Sequence, residues 1–150
     1  MVLAVLALSA LATCPIGVRS CRTVESRARE AHELLAYLAE QVQVVYRRIG
    51  ALPAAPAGPT PAPGTCCDNG GACAADATRW TDPAWQALRF TIDGPHRFAY
   101  SYELVDGGTA ARLRAEGDLD CDGHRTIVEV RLVPDGDGLR ATWTNVAPTE

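Results

Sequence analysis

The stretch "GDLDCDGHRTIVEV", residues 117–130, places four carboxylates in a chain whose net charge is already -4. The spacing matches positions 1, 3, 5, 6 and 12 of a calcium-binding loop, which here are Asp118, Asp120, Asp122, Gly123 and Glu129. Calcium takes roughly six to eight hard oxygen ligands, and three aspartates this close would repel one another without a cation. His124, at position 7, would contribute its backbone carbonyl and not its ring. The sequence therefore predicts a calcium site.

Two features depart from the helix-loop-helix form of such a loop. Arg125 stands where an apolar residue is usual, and "TIVEV" around Glu129 has the composition of a strand. The three aspartates are therefore stronger ligand candidates than Glu129. The alternative is a solvated acidic turn between two strands, which is also what we expect of "PDGDG" at residues 134–138.

Cysteines are the second chemical feature, and there are six: Cys14, Cys21, Cys66, Cys67, Cys73 and Cys121. In an exported chain the first expectation is disulfides, and six cysteines allow fifteen full pairings. Adjacent Cys66 and Cys67 are expected to have different partners, with Cys73 the best candidate for one of them. Cys14 and Cys21 lie on or beside an apolar stretch and can stay reduced. A zinc site is the alternative, but no paired CxxC or CxxH spacing supports it.

Catalytic chemistry and nucleic-acid binding are both disfavoured. The three histidines are scattered, and no nucleophile elbow, phosphate loop or HExxH motif occurs, so we expect no enzyme. Ser101 stands near a strand end without a base beside it in the sequence. His96 follows Pro95 in a turn and is expected at the surface or as a capping residue. A pI near 5.3 argues against nucleic acid as a partner.

The beginning of the chain indicates its compartment. Residues 1–18, "MVLAVLALSALATCPIGV", carry no charged side chain, which favours a membrane-inserted helix. A cleaved signal peptide ending at the Ala10-Leu11-Ala12 pattern and a lipid attached at Cys14 are the alternatives. All three take the rest of the chain out of the cytosol.

An amphipathic helix follows. Its apolar stripe steps by four and three residues through Val24, Ala28, Ala31, Leu35, Leu38, Val42, Val45 and Ile49. Gly50 and Pro53 end it. Joined to the apolar start, it would form one rod over residues 2–49, with a possible kink at Pro15.

The rest of the chain divides into a linker and a sheet. Residues 51–64, "ALPAAPAGPTPAPG", hold five prolines and no charge, which predicts an extended connection. "RWTDPAWQAL" predicts a short helix capped by Asp82, with Trp80 and Trp85 as core anchors. Five alternating segments, "LRFTID", "RFAYSYELV", "TAARLRAEG", "RTIVEVRLV" and "GLRATWTNV", predict an antiparallel meander. We therefore expect an α+β fold with a helical region 1–50, a proline- and cysteine-rich loop 51–78 and a sheet domain 79–150.

The order of these segments resembles bacterial type IV pilin-like proteins, including the pseudopilins of type II secretion. An apolar helix with an internal proline leads into a loop with "CCDNGGAC", then "WTDPAWQALRFTIDGPHRFAYSYE" and "AEGDLDCDGHRTIVEVRLV". The resemblance is strongest over residues 66–133, in a variety with a "GDLDGDG" loop, where Cys121 replaces the usual glycine. The prepilin cleavage motif, a glycine before the mature start and a glutamate after it, is absent.

This resemblance implies a pilin-like fold, with a long N-terminal α-helix packed on a four- to five-stranded antiparallel sheet. It implies a structural subunit of a type IV pilus or pseudopilus, with calcium stabilising the acidic loop. The partners would be other pilin or pseudopilin subunits and the inner membrane, and the location the inner membrane, the periplasm or a cell-surface filament. The alternative function is an exported calcium-binding or adhesion module with a cleaved signal peptide and no filament role.

Overall fold

The computed structural model describes the backbone of residues 18–146 and the side chains of residues 28–145. In chain order its elements are α1 (Val18–Ile49), β1 (Ala57–Thr60), α2 (Thr65–Asp68), α3 (Pro83–Ala87), β2 (Ala99–Val105), β3 (Ala110–Gly117), β4 (Thr126–Asp135) and β5 (Gly138–Val146). Two short 3-10 turns, Ala77–Trp80 and Asp106–Gly108, lie before α3 and after β2.

The strands form one antiparallel sheet in the order β1-β2-β3-β4-β5. Consecutive strands are neighbours in the sheet, and short connections join β2 to β3, β3 to β4 and β4 to β5. The structure has the four consecutive strands predicted from residue 97 onward. Residues 88–93, "LRFTID", do not form a strand: Arg89 has a φ of +50°, which interrupts extended backbone.

The proline-rich segment supplies the remaining strand, so it is more than a connection. β1 pairs with β2 through Ala57 opposite Tyr102 and Thr60 opposite Tyr100, with an irregularity between the two pairs. Proline lacks a backbone N–H, so it is tolerated in β1, which lies at the edge of the sheet. In this segment the Gly58–Pro59 and Thr60–Pro61 peptide bonds are both cis.

Helix α1 and the segment before β2 cover one face of this sheet. Ala31, Leu35, Leu38 and Val42 of the predicted stripe are fully buried, and α1 contacts β3, β4 and β5. The burial does not extend to the last residue of the stripe: Ile49 is 56% exposed.

The short helix α3 forms as its sequence predicts. Asp82 is the N-cap and accepts a hydrogen bond from the backbone N–H of Ala84 at 2.8 Å, with proline in the first turn. Trp80 and Trp85 are fully buried, and their rings meet edge to face with centroids 5.4 Å apart. The prediction that both tryptophans anchor the core is confirmed.

The predicted pilin-like architecture, in which a long N-terminal helix packed on the sheet is the main element, is wrong. The protein is an α+β protein dominated by its five-stranded antiparallel sheet, with one substantial helix, whose described side chains span residues 28–49. The prediction fails because most of the core residues come from the strands and from the segment that carries the two tryptophans. Helix α1 contributes four buried residues to the core.

The predicted N-terminal features lie almost entirely outside the described residues. Residues 1–17 hold most of the expected membrane segment, the Ala10-Leu11-Ala12 pattern, Cys14 and Pro15. Within the described part of the chain, no helix combines the length and the apolar character needed to cross a membrane.

Candidate metal centre

The acidic loop connects β3 to β4. Gly117 pairs with Thr126 at the end of the two strands, so residues 118–125 must reverse the chain direction. Two left-handed residues make this possible, Cys121 with a φ of +63° and Gly123 with a φ of +96°. Asp118, Asp120 and Asp122 alternate around this turn.

The turn brings the three aspartates together. Carboxylate oxygens of Asp118, Asp120 and Asp122, one from each, lie within 4.8 Å of one another. Asp118 is half-buried, whereas Asp120 and Asp122 are exposed. Oxygen donors at this separation, open to solvent on one side, are the ligand type that calcium prefers.

Backbone N–H groups hold the loop closed around Asp118. Its Oδ2 accepts a hydrogen bond from Gly123 N at 2.8 Å, and its Oδ1 accepts one from Asp122 N at 3.2 Å. Asp122 Oδ1 in turn accepts a hydrogen bond from His124 N at 2.8 Å. The loop is thus shaped by hydrogen bonds from its own backbone.

These hydrogen bonds also favour the charged form of Asp118. Burial alone would raise the pKa of the Asp118 carboxyl. Backbone N–H donors of Gly123, Cys121 and Asp122, together with the Asp120 side chain, outweigh burial and lower the pKa below the usual value of an aspartate.

A disulfide ties the loop to the cysteine-rich segment. Cys67 bonds Cys121, across 54 residues of sequence, and Cys66 bonds Cys73 across seven. The predictions that the adjacent cysteines have different partners and that Cys73 pairs with one of them are confirmed. Cys67 Sγ also lies 3.3 Å from the carbonyl oxygen of Asp118. The acidic loop is therefore fastened at its centre as well as at its two strands.

The carboxylate of Glu129 is not in this side-chain cluster. Glu129 stands opposite Arg114 in the β3–β4 ladder, with Glu129 Oε1 3.8 Å from Arg114 Nε. It lies three residues beyond Thr126, roughly 10 Å along the strand, so its carboxylate belongs to the ladder and not to the loop. His124 is exposed, and its backbone N–H is the group engaged here. Arg125, at the end of the loop, pairs with Glu116.

A second group of potential ligands was not recognised from the sequence. Cys66, Cys73 and His96 are all buried, and ligand atoms of the three lie within 4.8 Å of one another. Of the two expectations for His96, a surface or a capping residue, the surface position is wrong, since the residue is 1% exposed. The spacing of the cysteines could not indicate this group. Its third residue, His96, lies more than twenty residues from Cys73 in the sequence and is brought beside it by an isolated β-bridge.

Comparison with known proteins gives no relative for this chain: no family model, no curated protein and no solved structure matches it. The class that fold and site define is accordingly an α+β protein with two disulfides and an acidic loop between the central and penultimate strands of its sheet.

Proposed function

We propose that this chain is an exported structural subunit, in a filament of the type IV pilus or pseudopilus kind, whose β3–β4 loop binds calcium. The observation that carries the calcium part is the convergence of Asp118, Asp120 and Asp122 in a turn already closed by its own hydrogen bonds. The filament part is carried by the order of sequence segments described above.

The loop suits calcium for electrostatic reasons. Three carboxylates within 4.8 Å give a local charge near -3, which a divalent cation relieves. Preorganisation matters as well, because little of the binding free energy is then used to order the chain. Calcium that binds only the folded chain stabilises it by about 2.7 kcal/mol at a free concentration 100 times Kd.

Export is supported by the disulfides. Bonds such as Cys66–Cys73 and Cys67–Cys121 persist in oxidising compartments and are rare in the cytosol. The Cys67–Cys121 bond fixes the acidic loop, so oxidation and calcium binding favour the same conformation. An extracytoplasmic location would also supply calcium at the concentrations that such loops require.

A role as a subunit is supported by helix α1. Val44, outside the buried stripe, is 55% exposed, and Ile49, at the unburied end of the stripe, is 56% exposed. Apolar residues left exposed on a helix are suited to packing against a neighbouring copy. The last turn adds Arg47 and Arg48, which complement the helix dipole.

The test of the calcium site is a titration of the full chain, in its oxidised form, monitored by thermal melting. We expect the melting temperature to rise with calcium, and Asp120→Ala to abolish the rise. Asp137→Ala, in the acidic turn between β4 and β5, is the matched control and should leave the rise intact. If calcium does not change the melting temperature, or if it raises that of Asp120→Ala equally, the calcium part of the proposal is wrong.

The filament role is tested separately by fractionating the native cells. We expect the chain in the membrane and in the sheared surface fraction. A mature protein that begins at Thr13 and stays in the soluble fraction would rule out the filament, while leaving the calcium result unaffected.

One observation favours the alternative, an exported calcium-binding or adhesion module. The described core cluster is drawn from residues between Ala31 and Leu132. A globular part of this kind has its own core and could function after cleavage of the preceding segment. The same fractionation separates the two proposals, because only the module is expected in the soluble fraction.

A further inference from the structure

The two edges of the sheet differ in how well they are protected against pairing with a further strand. β1, at one edge, has four residues, a proline and an irregular register with β2. Such features discourage the addition of a strand. β5, at the other edge, has nine residues, no proline and one charged side chain, that of Arg140. Residues 140–145 are all exposed, so β5 presents the longer and less protected edge.

The hairpin between β4 and β5 determines which backbone groups this edge presents. Two residues separate Asp135 from Gly138, which pair with each other, and the pair that closes a two-residue hairpin is hydrogen-bonded. Alternation along the ladder then turns away from β4 the N–H and C=O groups of residues 139, 141, 143 and 145. Leu139 agrees with this alternation, because its N–H donates to Oε1 of Gln43, in α1, at 2.7 Å. The groups left to pair with a further strand are those of Ala141, Trp143 and Asn145.

We propose that β5 pairs in antiparallel fashion with β5 of a second copy of this chain, so that two five-stranded sheets join across a two-fold axis at Trp143. A symmetric antiparallel pair places one residue opposite itself, and that residue must have outward backbone groups. With Trp143 at the axis, Ala141 of each copy faces Asn145 of the other, and the outward residues form roughly six hydrogen bonds. With Ala141 at the axis, Leu139 would have to give up its bond to Gln43.

The side chains of β5 suit this register. Thr142 of one copy lies opposite Thr144 of the other on the outer face of the sheet, and cross-strand threonine pairs stabilise a ladder. Arg140, the one charged residue of the strand, lies opposite Val146 of the second copy. No like charges therefore meet across the new ladder, and the edge is complementary to itself.

Trp143 is the main apolar group of this edge. It is 41% exposed although its ring stacks on that of His32, in α1, with centroids 5.5 Å apart. At the two-fold axis the two Trp143 residues form a hydrogen-bonded pair with Cα atoms about 5.5 Å apart, close enough for the side chains to contact each other. Pairing therefore covers an apolar side chain that the single chain leaves in water.

The pair is independent of the filament proposed above. α1 runs antiparallel to β5, because His32 lies beside Asn145 and Gln43 lies beside Leu139. The two α1 helices of the pair consequently run in opposite directions, whereas the subunits along one filament repeat head to tail and share one direction. The contact thus joins chains that do not belong to the same filament.

The experiment compares the oxidised full chain with Ala141→Pro in a non-ionic detergent, by sedimentation and by iodide quenching of tryptophan fluorescence. We expect the chain to pass from monomer to dimer as its concentration is raised. The quenchable fraction should fall in step, because Trp80 and Trp85 are fully buried and iodide reaches Trp143. Ala141→Pro removes an N–H that points away from β4, so it should abolish both changes and keep the fold. Arg140→Gln, which leaves the outward backbone groups intact, is the control and should dimerise as the unmodified chain does.

A second variant tests the register without depending on Ala141→Pro. In Thr142→Glu/Thr144→Arg each new charge lies opposite its counter-charge in β4, Arg131 or Glu129, and opposite the complementary charge of the second copy. We expect this variant to tighten the dimer several-fold. Near-UV circular dichroism of both variants checks that they fold.

Three results would overturn the proposal. One is a chain that stays monomeric at every concentration. Another is an association that is equally strong in folded Ala141→Pro, since contacts through the apolar start of the chain would survive that substitution. The third is a Thr142→Glu/Thr144→Arg variant that folds and dimerises no more tightly than the unmodified chain.

Discussion

The carboxylate of Asp118 accepts a hydrogen bond from the backbone N–H of Gly123, at 2.8 Å, across the turn between β3 and β4. The bond requires the left-handed conformation of Gly123, whose φ is +96°. Because it orients Asp118 toward Asp120 and Asp122, the aspartate that begins the loop both shapes the turn and contributes to the cluster. The turn and the proposed calcium site thus share the same carboxylate.

This carboxylate should make the protein sensitive to acid. The pKa of Asp118 is lower in the folded chain than the usual aspartate value. A depressed pKa contributes stability that is present above the unfolded value, about pH 4, and that is lost as the pH falls through the folded value. We expect Asp118→Asn to reduce the loss of stability as the pH falls below about 4, measured by urea unfolding without calcium. Asp137→Asn should leave that slope unchanged, and an identical slope in both variants would contradict the assignment.

The two disulfides should contribute unequally to stability. The entropy removed from the unfolded chain grows with the loop that a disulfide closes, and the sequence separations are 54 for Cys67–Cys121 and seven for Cys66–Cys73. We expect Cys67→Ala/Cys121→Ala to cost about 4 kcal/mol of unfolding free energy and Cys66→Ala/Cys73→Ala about 2 kcal/mol. Denaturant unfolding of both variants under oxidising conditions measures this, and a reversed order would show that packing outweighs chain entropy.

The Cys67–Cys121 bond should also affect the acidic loop. Cys121 occupies a left-handed position, φ +63°, where a glycine would be unstrained. We expect Cys67→Ser/Cys121→Gly to lower calcium affinity, because the loop then loses its central tie, and isothermal titration measures the change. An unaltered calcium affinity would mean that the backbone hydrogen bonds alone preorganise the aspartates.

Sequence patterns predicted the elements whose signals are local. Alternating apolar residues gave β2 to β5, and the Asp82-Pro83 pair gave the start of α3. β1 escaped prediction because its one proline and its glycine suppress the strand signal, and its place at the sheet edge permits them.

The parts of the site that could not be predicted depend on contacts between distant segments. Glu129 fitted position 12 of a loop that continues into a helix, but the strand geometry of β4 directs it to Arg114. His96 looked like a turn residue, and only its backbone bridge to Cys73 reveals that it is buried. The helix stripe predicted a buried face but not how much of the core the sheet would supply.

If the exposed apolar residues of α1 pack against neighbouring subunits, charges placed there should disrupt assembly without unfolding the chain. Val44→Asp and Ile49→Asp replace side chains that are more than half exposed. Their effect on unfolding free energy should stay within about 1 kcal/mol, which includes the unfavourable interaction of a carboxylate at position 49 with the helix C-terminus. We expect the amount of chain in the sheared surface fraction of native cells to fall several-fold. Glu40→Gln, also exposed on α1, is the control, and equal surface fractions for all three variants would count against this face as a subunit contact.

The tightest test of the fold concerns two glycines with the same backbone conformation. Gly58 and Gly70 both have a φ of +80°, so alanine carries a similar left-handed penalty of about 1–2 kcal/mol at each. A Cβ at Gly58 would lie 2.2 Å from the carbonyl oxygen of Tyr100 and 2.9 Å from Cζ2 of Trp85, whereas at Gly70 it would meet nothing within 4 Å. We expect Gly58→Ala to cost at least about 2 kcal/mol more than Gly70→Ala, because β1 must move away from β2. Denaturant midpoints of the two variants measure the difference, and equal midpoints would mean that β1 does not lie against β2 as described.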